Sequence, residues 1–91
     1  MIERKLKENG EELRRAREDL RVAIEQLEHF SGDAEEARLR AMVSETPLAE
    51  QEHREAARHA EKMKLHHDKL EERIASLEVR QDELLDEMLA P

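Results

Sequence analysis

The sequence predicts an all-α protein, a long two-helix hairpin forming an antiparallel coiled coil over about residues 2–45 and 47–89, as one domain spanning 1–91. Three observations predict it. The chain is 44% charged and 1% aromatic, and its 37% of hydrophobic residues are nearly all Leu, Ala, Met, Ile and Val. A chain like this cannot fill a thick globular core, so it is either disordered or a long helix with a narrow apolar seam. Leucines at every seventh position, Leu6, Leu13, Leu20 and Leu27, favour the helix. Finally, Thr46-Pro47 is the strongest punctuation in the interior and falls near the midpoint.

With the leucines at heptad position a, position d of the first helix holds Ile2, Asn9, Ala16, Ala23 and Phe30. The frame continues through Ala34, Ala37, Ala41 and Ser44. Ser31-Gly32-Asp33 resembles an interruption, and Asp33 with Glu36 resembles a capping box. A true loop would usually reset the frame, so one continuous helix is expected, with Gly32 the position for any kink. Pro47 suits the first position of a second helix and disfavours helical geometry at Thr46, which becomes the natural N-cap. In the second helix, position d holds Ala49, Ala56, Met63, Leu70, Leu77 and Leu84. Position a holds His53, Ala60, His67, Ile74, Gln81 and Met88, and Pro91 marks the end.

A turn centred on Glu45 sets which residues face one another. Leu6 then meets Leu84, Leu13 meets Leu77, Leu20 meets Leu70, and Leu27 meets Met63. Ala16 faces Ile74, Ala23 faces His67, Phe30 faces Ala60 and Ala37 faces His53, so large opposes small and the seam stays evenly filled. The two amides of the seam, Asn9 and Gln81, also fall opposite each other. A buried amide facing leucine would cost about 1–3 kcal/mol, whereas a pair satisfies itself and defines register. The flanks agree: Glu12 opposes Arg80, Asp19 opposes Arg73, Asp33 opposes His59 and Arg17 opposes Glu71. A monomeric hairpin and a homodimer, including one opened at the Glu45–Pro47 hinge, satisfy this pairing equally.

The formal charge of −8 is spread as −1 over residues 1–30, −3 over 31–60 and −4 over 61–91. No stretch is strongly basic, so direct binding to nucleic acid or to an anionic membrane is not expected. There is no Cys, no apolar run near the length of a membrane span, and no apolar signal region behind Met1-Ile2-Glu3-Arg4-Lys5. The expected compartment is the cytoplasm.

No catalytic residue, cofactor or metal is expected. Ser31, Ser44, Thr46 and Ser76 lie in no nucleophile elbow, and there is no Gly-rich phosphate loop. The five histidines raise a histidine-based metal binder as an alternative, through the one Glu-x-x-His step at Glu50 and His53. The residue facing that step is Ala37, so a ligand set is missing. At the seam positions His53 and His67, burial would disfavour the imidazolium and make folding sensitive to pH.

Two surfaces remain for recognition. At the tip, Met42, Val43 and Leu48 surround Glu45 and Thr46, off the seam or at its very end. The e flank, with Ile24 and Leu85, is smaller and less charged than the g flank. The expected function is therefore that of a non-enzymatic adaptor or spacer presenting its tip or this flank to another protein. In architecture, without a shared motif, the hairpin resembles the coiled-coil arm of Gre-type transcript cleavage factors. That resemblance implies an acidic tip holding a metal ion inside RNA polymerase, or modulation of another large nucleic-acid enzyme. Here Glu45 is the sole acidic residue at the tip.

Overall fold

The structure is a computed structural model describing residues 1–91. Two helices make up the fold, α1 (Ile2–Ser44) and α2 (Pro47–Leu89), joined by Glu45 and Thr46. Strong helix formers (Ala, Leu, Glu, Arg, Lys) dominate both, and neither contains an internal proline. The helix expected across Ser31-Gly32-Asp33 is uninterrupted. Asp33 starts no new helix; its carboxylate lies 3.3 Å from the His29 imidazole one turn earlier. Neither helix is long and apolar enough to cross a membrane.

The chain divides into two compact units. The open-end unit comprises Met1–Arg21 of α1 and Asp68–Pro91 of α2. Here Leu13, Ala16 and Leu77 form a buried cluster with Ile74 packed against it, and Leu84 is 1% exposed. These neighbours, Leu13 by Leu77 and Ala16 by Ile74, belong to the layers that the heptad frame opposes. Asn9 is buried, and its Nδ2 donates both to Gln81 Oε1 and to the Leu77 carbonyl, each at 2.9 Å. The amide layer thus satisfies itself and also ties α1 to the α2 backbone. No buried side-chain nitrogen or oxygen lacks a partner.

The tip unit comprises Val22–His67. Its buried residues are all alanines: Ala23, Ala37, Ala41 and Ala49. The larger seam residues Leu27, Phe30, Met63, His53 and His67 are only half-buried. Phe30 turns its ring edge-on to His59, with centroids 6.1 Å apart, and likewise to His29 at 5.4 Å. A histidine on the flank is therefore part of what surrounds the one aromatic residue.

Two details depart from the heptad reading. Met88, at a seam position in the last turn of α2, is exposed. The flank partners also shift. Glu12 lies 3.4 Å from Arg73 where Arg80 was expected, and Arg17 lies 3.4 Å from Glu78 where Glu71 was expected. In both cases the guanidinium reaches the next heptad. Exposed pairs of this kind contribute only about 0–1 kcal/mol, too little to hold one partner over another.

Candidate docking site at the hairpin tip

The tip is built by two caps back to back. α1 ends at Ser44, one residue before the expected boundary, because Glu45 adopts the left-handed region with φ 51°. Its amide still donates to the Ala41 carbonyl at 3.1 Å, which closes the helix as a left-handed cap. Glycine usually takes this position; an L-residue here pays about 1–2 kcal/mol in crowding of its Cβ. Thr46 then caps α2: its Oγ1 accepts from the Ala49 amide at 3.2 Å, and its carbonyl accepts from the Glu50 amide at 3.1 Å. Such a cap is worth about 1 kcal/mol over alanine. Pro47, in the first turn, removes a donor that would have had no partner.

These caps leave the apolar residues around them outside. Met42 is 63% exposed, Val43 86% and Leu48 65%, and Leu39 one turn earlier is 48% exposed. Glu45 and Thr46 are exposed between them. All four apolar residues occupy heptad positions that point away from the seam, so α1 and α2 cannot cover them. The neighbouring Arg38 is held in place: it donates to the Glu35 carboxylate at 2.6 and 3.0 Å, and its Nη1 lies 3.1 Å from Met42 Sδ. The hydrogen bond from Arg38 holds the Glu35 carboxyl below the usual glutamate range against a smaller opposing effect of desolvation, with lesser help from the Arg38 and His53 charges. The same bond raises Arg38.

The two flanks of the tip unit differ as charge patterning suggests. On the e side a shallow groove runs between Ser31, Ala34, Ala57 and Ala60, with Glu35 and Glu61 balanced by Arg38 and Lys64. On the g side the groove carries Asp33, Glu36, Glu52 and Glu55 against Arg40 and His59. Of the e-flank residues, Ile24 in the tip unit is 42% exposed and Leu85 in the open-end unit 37%, both less than the tip residues.

No third His, Cys, Asp or Glu donor converges on Glu50 and His53, and the facing Ala37 is buried. Glu45 stands alone between the helix ends; the next carboxylate along the chain is Glu50, already on α2. His53 and His67 are half-buried at the seam as the heptad frame placed them. The frame located the tip residues correctly as lying off the seam, but contained no signal for the left-handed Glu45, since glutamate is uncommon there.

Comparison of the chain with protein-family models, with curated proteins and with solved structures finds no match to any of them.

Proposed function

We propose that this protein is a non-enzymatic interaction module, a helical adaptor or spacer that presents its tip to another protein. The observation that carries the reading is the exposure of Met42, Val43 and Leu48 around a polar Glu45-Thr46 rim. Each lies next to a helix cap, so the backbone beneath is fixed before a partner arrives and little ordering cost remains on binding. Apolar anchors inside a polar rim are how small interfaces concentrate their energy. The e flank at Ile24 and Leu85 presents less apolar surface and is the weaker candidate.

The test is quantitative capture of partners by the full chain at low concentration. Met42→Ser and Leu48→Ser should each weaken capture by at least about 1 kcal/mol, the usual threshold for an anchor, with the melting temperature nearly unchanged. Ile24→Lys and Leu85→Lys should be silent. If the flank changes abolish capture and the tip changes do not, the docking surface is the e flank.

A further inference from the structure

We infer that the tip is also an interface between copies of this chain, where two molecules exchange their second helices by opening the Glu45–Thr46 connection. This goes beyond the adaptor reading and does not rest on it. The chain reversal depends on one strained residue. Glu45, at φ 51°, is the only non-glycine residue with positive φ, and it joins two 43-residue helices through a two-residue link. Short hinges under strain favour exchange, because opening them relieves the strain while intramolecular contacts are remade between chains. Pro47 keeps the opened hinge from simply continuing α1, since it removes an amide donor and holds Thr46 in extended geometry. With Glu45 at an ordinary negative φ, the chain runs on and α2 must find another α1.

Two further observations point to a second copy as the occupant. The pairing of Asn9 with Gln81, and of Leu13 with Leu77, lies between α1 and α2 and is therefore reproduced between molecules. The exposed Met42, Val43 and Leu48 flank the hinge, where two opened hinges would meet and cover them. Electrostatics agrees. The chain carries −8, yet from Arg38 to Arg54 the three arginines (Arg38, Arg40, Arg54) cancel Glu45, Glu50 and Glu52. Two copies repel each other least at the tip. Exchange therefore competes with partner docking for the same residues.

The test is sedimentation equilibrium of the full chain at millimolar concentration, after heating through the melt and slow cooling so that helices can exchange. The wild type should show a species of twice 10.7 kDa. Mixed with a tagged chain, it should form heterodimers after a heating cycle but not on standing in the cold. Glu45→Gly relieves the hinge strain in the closed hairpin. It should weaken the dimer about tenfold per hinge, hence about a hundredfold in its dissociation constant, from the size of the left-handed penalty. Absence of any dimer after the heating cycle would overturn the inference. So would a dimer equally populated in Glu45→Gly, or one dissolved by Ile24→Lys and Leu85→Lys but not by Glu45→Gly. Partner capture is read on the wild-type chain at low concentration, where the hairpin is closed, so the dimer can fail while capture by the tip persists, which keeps the two proposals separable.

Discussion

In the open-end unit the seam is filled by large side chains: Leu6, Leu13, Leu20, Leu70, Ile74, Leu77 and Leu84, with one self-satisfied amide layer among them. In the tip unit the corresponding positions are mostly alanine: Ala23, Ala34, Ala37, Ala41, Ala49, Ala56 and Ala60. Burying a leucine side chain contributes about 1.5–3 kcal/mol, and alanine, three carbons smaller, contributes much less. Alanine, however, has the highest intrinsic helix propensity. The open-end unit is therefore held mainly by what its helices bury against each other, and the tip unit more by the local preference of each helix. The candidate docking residues lie in the unit with the smaller core, the end of the stability range from which binding elements are usually drawn.

The most direct way to break this comparison is to change side-chain size in each seam. Leu84→Ala, at a site 1% exposed, should cost about 2–5 kcal/mol, through lost burial and the cavity left behind. Leu27→Ala in the tip unit starts from a half-buried side chain and should cost less than about 2 kcal/mol. The tip seam should instead resist enlargement: Ala37→Leu, at 2% exposed, forces in extra volume and should cost about 1–3 kcal/mol. Urea melts of the three variants check all of this. Equal losses for Leu84→Ala and Leu27→Ala would mean that the two seams do not differ in the way proposed.

The amide layer sharpens the comparison, because only the open-end unit has one. Asn9→Leu strands Gln81 and removes the donor to the Leu77 carbonyl, so the unmet groups should cost about 1–3 kcal/mol and the leucine's burial should gain little in net stability. Asn9→Leu with Gln81→Leu replaces both partners and should be more stable than the wild type, while allowing other registers or oligomers. Cross-linking between the helices reads the register, and sedimentation reads the mass. A double variant less stable than the wild type would refute the idea that the layer trades stability for register.

The helices and the seam were legible because a seven-residue period reports burial directly: positions a and d, Met88 and the terminal Ser44 apart, are buried or half-buried. The Asn9–Gln81 contact was legible because it is the only place where two amides meet on the seam. Thr46 and Pro47 were legible because a cap and a first-turn proline have distinct chemistry. The flank partners were not. Glu12 and Arg17 each have two candidates within reach of a guanidinium, and neither pair is buried enough to make the choice matter. Glu45 was placed in the turn, yet its left-handed backbone follows from closing the hairpin rather than from its own preference. The tip residues were identified by being off the seam. What they recognise depends on a partner's surface, and no pattern within this chain encodes that.

The smallest expected effect concerns electrostatics, and it tests whether the two units differ in packing alone. Each unit carries one close Glu–Arg pair three residues apart on α1: Glu18 with Arg21 at 2.7 Å in the open-end unit, and Glu35 with Arg38 at 2.6 Å in the tip unit. In both, the hydrogen bond from the arginine is the main cause that holds the carboxyl below the usual glutamate value of 4.5. A carboxyl lowered in the folded chain contributes its stability in full above the unfolded value. That contribution is lost as pH falls from about 4.5 through the lower folded value. Both pairs are solvent-exposed, so the effect should be small, should shrink in high salt, and should be alike in the two units. Thermal melts between pH 6 and pH 3 at low salt, for the wild type, Glu18→Gln and Glu35→Gln, measure it. Each variant should lose a similar slice of the acid-dependent drop in melting temperature. If Glu35→Gln removes far more than Glu18→Gln, the tip unit depends on charge where its alanine seam is thin, and packing alone does not explain the contrast between the units.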